Sequence, residues 1–404
     1  MWAVAACSGA EPGEVQGPEA PAPVEPGATP PSPSASVSAP TKDASVPPPA
    51  DAGADRDAAP AGAVGTFGRW DTRDAKGPRA GWPGSSIRFR FRGTKAAVTL
   101  DETPGTGGPS EWDVAIDGVW RAQKLALQAG RGTYPLADGL PAKEHTIELF
   151  RRTEALSGST QLLGVTVGEG ALLPPPAPRA RTFEFLGDSL TNAYGIEGTG
   201  PRCSYTASTQ NLHMSFASRV AEAFGAELSV VAYQGKGLTK NYVRASSTLF
   251  PELYTRALPD DPMSLWDARK LVPDAVFVMI GANDFLQERP QVFDPPSLPA
   301  FRAAYVSLLA KVRQNAPQAY VFAMVGPTQT DMAPARYNAR TDQTAAVMQA
   351  VASRTSAGDA RVHYIDLPAE PQSELTACDY HPSVGVHERI AQMLVPQVRS
   401  ITGF

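Results

Sequence analysis

The order of apolar and polar positions changes character twice along the chain. Up to residue 63 it has no period: residues 8–63 hold 13 prolines, 14 alanines and no aromatic side chain. Such a segment buries too little apolar surface to offset its ordering entropy, so residues 1–63 are predicted to form a disordered, extended tail. From Val64 to about Gly170 the period is two. Ser86-Ile-Arg-Phe-Arg-Phe-Arg92 alternates strictly, with Ile87, Phe89 and Phe91 on one face and three arginines on the other. Similar runs follow at 96–100, 112–116, 123–127, 145–151 and 161–167, separated by turn signals such as Thr103-Pro-Gly-Thr-Gly-Gly-Pro109, Asp117-Gly118 and Asp138-Gly139. Short strands at this spacing, with no helical stretch between them, predict a β-sandwich or jelly roll over residues 64–172. Trp70, Trp82, Trp112 and Trp120 either present a sugar-stacking surface there or pack in the core and between domains.

Past the stiff connector Leu173-Pro-Pro-Pro-Ala-Pro178 the rhythm changes again. Compact apolar runs at 182–186, 228–232, 275–280, 320–325 and 362–365 suit buried parallel strands, and amphipathic stretches at 213–224, 301–312 and 384–401 suit helices. Strands alternating with helices predict a doubly wound α/β domain over residues 182–404, with ligands bound at the carboxyl ends of the strands.

Charge sharpens this division. The chain carries 36 Lys and Arg against 41 Asp and Glu, a net charge of −5. Residues 8–63 hold eight acids and two bases, so the tail accounts for −6 and the remainder for +1. A near-neutral body lacks the basic face that nucleic acid requires. No run of 18 apolar residues occurs, so no membrane-spanning helix is expected.

The candidate chemistry falls at the predicted strand ends. The first strand runs into Leu186-Gly-Asp-Ser-Leu-Thr191, the second into Tyr233-Gln-Gly-Lys-Gly-Leu238 and the third into Ile280-Gly-Ala-Asn-Asp284, while Cys378-Asp-Tyr-His-Pro382 lies near the C-terminus. A serine between a strand and a helix presents its hydroxyl at the sheet edge, where a helix N-terminus favours developing negative charge. Ser189 is therefore the candidate nucleophile. Its base must titrate near neutrality, and the chain has five histidines: His145, His213, His363, His381 and His387.

In this order the four blocks resemble those of the SGNH, or GDSL, hydrolases. The resemblance implies His381 as the base, with His387 as its competitor, and an oxyanion hole built from the backbone N–H of Ser189, a second-block glycine and the Asn283 amide. Counting from the strand end favours Gly237, with Gly235 serving the turn. The family's common pattern places Asp three residues before the histidine; here Cys378 holds that position and Asp379 follows it. Either Asp379 orients the imidazole as a third triad member, or a backbone carbonyl does so in a Ser-His dyad.

Further segments narrow the resemblance. A β domain ahead of the hydrolase domain, Gly235-Lys-Gly-Leu-Thr-Lys-Asn-Tyr242, Ser264-Leu-Trp-Asp267, Gly281-Ala-Asn-Asp-Phe285 and Cys378-Asp-Tyr-His-Pro-Ser-Val-Gly-Val-His387 are similar to carbohydrate esterase family two. This implies removal of O-acetyl groups from polysaccharides such as xylan and mannan through an acyl-serine, without metal or other cofactor, and Trp266 as a sugar-facing aromatic. Tyr194, Tyr205 and Tyr233 are further candidates for that wall. Two other functions share these residues. A GDSL lipase or lysophospholipase predicts an apolar acyl cleft, and a non-catalytic glycan-binding lipoprotein does not require Ser189, Asn283 and His381 together.

With Cys203 after the nucleophile block and Cys378 beside the histidine, both thiols are expected at one rim of the site, where outside the cytoplasm they either form a disulfide or stand as one free and one buried thiol. Cys7 closes Val4-Ala-Ala-Cys7, which resembles the lipobox of a bacterial lipoprotein. The apolar stretch before it is short and lacks a basic start, so the true start is expected upstream. The expectation is an extracytoplasmic, monomeric enzyme, either held to a bacterial membrane only through a lipid anchor or secreted.

Overall fold

The computed structural model describes residues 63–243, 246–286, 295–331 and 338–404, so the predicted tail up to residue 62, Cys7 included, lies outside the described residues. In the first domain two antiparallel sheets face each other. One runs in the order Val64–Phe67, Ser86–Gly93, Lys143–Arg151, Glu111–Ile116, Val119–Trp120, with Ala171–Leu173 and Leu125–Ala126 added at its sides. The other runs Arg79–Ala80, Gly158–Gly168, Lys95–Pro104, Gly130–Ala137. Ile87, Phe89 and Phe91 are fully buried between them with Val98, Leu100, Trp112 and Ile147, as strict alternation demands of a strand with one apolar face.

The opposite face of Ser86–Gly93 is less uniform. Arg90 and Arg92 reach solvent and pair with Glu144, whereas Arg88 is buried and pairs with Glu227 of the second domain. The strand Gly130–Ala137 has no apolar signature, because it is an outer strand, largely exposed, with Pro135 and two glycines in it.

The second domain is a five-stranded, wholly parallel sheet in the order Ala226–Ala232, Arg181–Gly187, Ala275–Met279, Tyr320–Ala323, Val362–Tyr364. Helices Phe216–Ala223 and Val384–Thr402 contribute apolar residues to one cluster, Leu298–Asn315 and Ala339–Ser356 to another. The chain reverses its winding direction between Arg181–Gly187 and Ala275–Met279, and the crevice at such a switch point is where open α/β sheets bind ligands.

Both domains lie within one compact unit, and their contact is polar as well as apolar. Trp82, 1% exposed, leaves its own domain and enters the apolar cluster of the parallel sheet, its indole N–H donating to Arg256 O at 3.2 Å. Arg69 donates to Glu184 Oε1 at 2.9 Å and to Tyr254 O at 2.6 Å, and both charges are buried. Buried charges persist only when paired, and removing one partner of such a pair costs about 3–5 kcal/mol. Trp70 and Trp112 are buried in the sandwich core, and Trp120 packs on Phe150 and His213. These four tryptophans thus serve core and inter-domain packing.

Candidate active site

Ser189 follows the strand Arg181–Gly187 directly. The turn after it is closed by Leu190 N–H donating to Asp188 Oδ1 (3.0 Å) and by Thr191 and Asn192 N–H donating to Asp188 O (3.1 and 3.2 Å). Ser189 is 8% exposed, and its hydroxyl lies 2.9 Å from His381 Nε2. His381 sits in the loop between the last strand and the last helix. Its Nδ1 lies 3.0 Å from Cys378 O and 3.2 Å from Asp379 O. Two carbonyls can only accept, so Nδ1 carries the proton and Nε2 turns its lone pair to the serine. Burial pushes the imidazole down to about 4, against the lift from those carbonyls and the Asp379 charge, so it is neutral at pH 7 with its Nε2 lone pair free to accept a proton.

This geometry corrects the triad expectation. The Asp379 carboxylate does not reach His381 Nδ1; it accepts from Tyr194 OH at 2.8 Å, and only the backbone carbonyl of Asp379 serves the histidine. The reason is local: Asp379 and Tyr380 both adopt positive φ (52° and 57°), which turns the peptide carbonyls toward the ring. Carbonyls therefore do what a carboxylate does in a triad. The competing histidine is excluded. His387 is 1% exposed, accepts from Phe216 N–H at 3.2 Å, stacks on Phe216 and is held down to about 3 by burial.

The loop with His381 is fastened to the loop after Ser189 by the Cys203–Cys378 disulfide, Cα–Cα 4.7 Å. Three backbone bonds run beside it: Asp379 N–H to Cys203 O (3.1 Å), Cys378 N–H to Gly195 O (3.2 Å) and Tyr380 N–H to Pro201 O (3.2 Å). Space for the bridge depends on Gly198, where a Cβ would stand 2.3 Å from one sulfur and 2.5 Å from the other.

In the second block the two glycines differ in what their N–H groups meet. Gly237 N–H is spent on Asn241 Oδ1 at 3.1 Å, whereas the N–H groups of Gly235 and Ser189 have no protein acceptor among the described residues. Gly237 is glycine for space: a Cβ would stand 2.0 Å from Lys240 O and 2.4 Å from Asp284 Oδ2. That crowding follows from Asp284, which accepts from the N–H groups of Leu238 (2.9 Å), Thr239 (2.7 Å) and Lys240 (3.0 Å) and so staples the turn. Asn283, beside it, is buried and donates from Nδ2 to Lys236 O (2.9 Å) and Asp188 Oδ2 (3.1 Å). Burial and the nearby Asp284 charge push Asp188 up to about 7. Asp188 and Asp284 were visible in the sequence blocks, but nothing in the spacing signalled their work.

Trp266 packs against Arg69 of the first domain. Its ring lies over the Arg69 guanidinium at 5.4 Å and its backbone N–H donates to Thr255 O at 2.8 Å. These contacts place it against the first domain, and none is with Ser189, Asn283 or His381. The aromatic beside the pair is Tyr194, whose ring is 4.3 Å from His381 and stacks on Tyr205 at 4.8 Å. Tyr233 lies beside Lys236, its hydroxyl 3.4 Å from Asp260.

Comparison with known proteins agrees with this architecture. Residues 66–176 match the model described as Carbohydrate esterase 2 N-terminal, and residues 185–389 match the GDSL-like Lipase/Acylhydrolase family. The Cellulase/esterase CelE of Acetivibrio thermocellus is 33% identical over 341 residues, 83% of this chain but only 39% of that protein, so the chain spans about two fifths of that relative's length. An acetylxylan esterase / glucomannan deacetylase of Cellvibrio japonicus is 26% identical over 84% of this chain and 88% of its own length. Among solved structures, a family two carbohydrate esterase from Clostridium thermocellum in complex with cellohexaose superposes with a TM-score of 0.76 at 33% identity, over 84% of this chain and 99% of that one. Likeness of sequence and fold over both domains at once, joined to the serine and histidine already met at the sheet edge, makes this chain a member of the family two carbohydrate esterases.

Proposed function

We propose that the protein is a serine esterase that removes O-acetyl groups from polysaccharides of the acetylxylan and acetylmannan type. The observation that carries this reading is the 2.9 Å contact between the Ser189 hydroxyl and a neutral His381 whose Nδ1–H is held by carbonyls. In the proposed reaction Ser189 Oγ attacks the acetyl carbonyl and its proton passes to His381 Nε2. The tetrahedral oxyanion is met by the N–H groups of Ser189 and Gly235 and by the Asn283 amide, which turns from Lys236 O as charge develops. The intermediate collapses, His381 returns the proton to the departing sugar hydroxyl, and acetyl-Ser189 remains. Water, deprotonated by His381, then attacks the acyl group; as the bond to Ser189 Oγ breaks and acetate leaves, His381 returns the proton to Ser189 Oγ. Support for a sugar ester comes from the relatives' printed activities and from the aromatic side chains beside the pair, Tyr194 on His381 and Tyr205 stacked on Tyr194, each carrying a polar hydroxyl, where a lipase would need an apolar acyl cleft. Acetate release by the purified full chain from acetylated xylan and glucomannan, set against short-chain and long-chain esters, tests it. Acetylated glycans should lead, and a faster reaction with long-chain esters would overturn the choice.

We also place the enzyme outside the cytoplasm, as a monomer held to a membrane by lipid on Cys7. The Cys203–Cys378 bridge supports this, since such bonds persist in oxidising compartments. Cys7→Ser should move the protein from the membrane to the soluble fraction, and light scattering should return the mass of one chain.

A further inference from the structure

Among the buried ionisable groups the chemistry above leaves unused, Glu154 is singular in its place. It belongs to the first domain, where it precedes the turn Ala155–Ser157 joining the strands Lys143–Arg151 and Gly158–Gly168. It is 0% exposed. Its Oε2 accepts from Asn192 Nδ2 at 3.0 Å and from Gln234 N–H at 3.1 Å. Asn192 stands three residues after Ser189, and Gln234 immediately precedes Gly235. One oxygen of a first-domain carboxyl thus bridges the turn that presents the nucleophile and the turn that supplies an oxyanion donor. The neighbouring Ala155 is fully buried in the apolar cluster of the parallel sheet, which anchors the hairpin tip.

The second oxygen, Oε1, has no hydrogen-bond partner among the described residues. Burying the ionised carboxylate is costly, and the neutral acid avoids burying that charge. Nor does the nearest cation neutralise it. Arg151 spends its guanidinium on the carbonyls of Thr153, Glu154 and Gly158 and on Thr160 Oγ1. We propose that Glu154, in its neutral form, is a positioning residue that fixes the Ser189 turn against the Gly235 turn, so that the first domain completes the catalytic centre of the second. This deepens the esterase function proposed above and rests on it.

The consequence is a pH dependence. Burial pushes Glu154 up to about 8, so it is mostly protonated at pH 7 and ionises in mild alkali. Its ionisation adds a buried negative charge bonded to both turns, Asn192 on one and Gln234 on the other, and that charge slows acylation. The groups facing it are Arg151 on its own hairpin, Tyr194 and Tyr205 from the loop after Ser189, and Tyr233 with its neighbour Asp260 from the far wall. Burial pushes all three tyrosines well above their ordinary value, so they stay neutral across this range.

The test uses phosphorylation of Ser189 by diethyl p-nitrophenyl phosphate in the full chain, alongside p-nitrophenyl acetate hydrolysis. In the probe reaction Ser189 Oγ forms the bond to phosphorus, p-nitrophenolate leaves, and the serine proton passes to His381. Glu154→Ala should slow both reactions by at least about thirtyfold, mainly in kcat, and Glu154→Gln, which restores a neutral hydrogen-bonding group, should recover about tenfold of that. The wild type should lose rate above about pH 8, and Glu154→Gln should lack that limb. Equal losses in both variants, no loss in either, or an alkaline limb unchanged in Glu154→Gln would overturn the proposal. If Glu154→Ala does not fold, the pH profile of Glu154→Gln decides alone. A wild type that reacts with the phosphate but releases no acetate from glycans would refute the substrate assignment and leave this inference standing.

Discussion

The two halves of the reacting pair are held in different ways. Ser189 stands at the end of a central strand paired on both sides, with Asp188 closing its turn and Asn283 reaching across from the next strand. His381 stands on a loop whose shape comes from two positive-φ residues, backbone bonds and one disulfide. The sheet positions the nucleophile as part of the core, where a shift disturbs many packed neighbours. The base is positioned by a few local restraints, each of which can be removed singly. Changes on the serine side should therefore act through the chemistry itself, and changes on the histidine side through alignment.

Predictions that separate the two sides run from large to small. Ser189→Ala should lower turnover by about 10⁴ or more, since nucleophile and base act as a unit. Asn283→Ala should cost about 10²–10³ in kcat with a stable fold, measured on p-nitrophenyl acetate. The acid limb of kcat/KM should sit near pH 4, because the reaction needs neutral His381 and burial holds its proton affinity there. Any step near 7 belongs to Asp188, which is pushed up to about 7 beside Asn283, while ionisation of His381 should lower the rate about tenfold per unit only below pH 4. The same depression bears on folding. His387, neutral in the folded core down to about pH 3, takes up a proton in the unfolded chain below about 6.5, so its contribution to stability is whole above that pH and shrinks as pH falls beneath it. Replacing both Cys203 and Cys378 by Ser should lower stability by about 2–5 kcal/mol and kcat by about tenfold, the latter because Cys378 O loses its fixed place beside Nδ1. Asp379→Ala should cost only a few-fold, as expected of a side chain that bonds Tyr194 rather than the imidazole. A loss near 10⁴ would instead assign the carboxylate the part of a triad acid.

The sandwich strands were legible where one face is apolar, as in Ile87, Phe89 and Phe91, and illegible at Gly130–Ala137, whose side chains meet solvent on most positions. The helix Ala339–Ser356 is not signalled because its buried stripe is Ala339, Gln343, Ala346, Val347, Ala350 and Val351, mostly alanine with one glutamine and so too weakly apolar to stand out. Ser189, Asn283 and His381 were legible because side-chain chemistry is written in the sequence. The carbonyl that orients His381 was not, since every residue has one and only backbone torsion selects it. Glu154 was hidden for a third reason: its partners lie 38 and 80 residues away, and only the docking of two domains brings them together.

The central claim, acyl transfer through Ser189, is most directly tested by stopping turnover of acetylated xylan with acid and locating the acetyl group by peptide mass spectrometry. An acetyl adduct on Ser189 Oγ, absent in Ser189→Ala, is the predicted result. Acetate release with no such adduct, or with the acetyl group on another residue, would contradict the account.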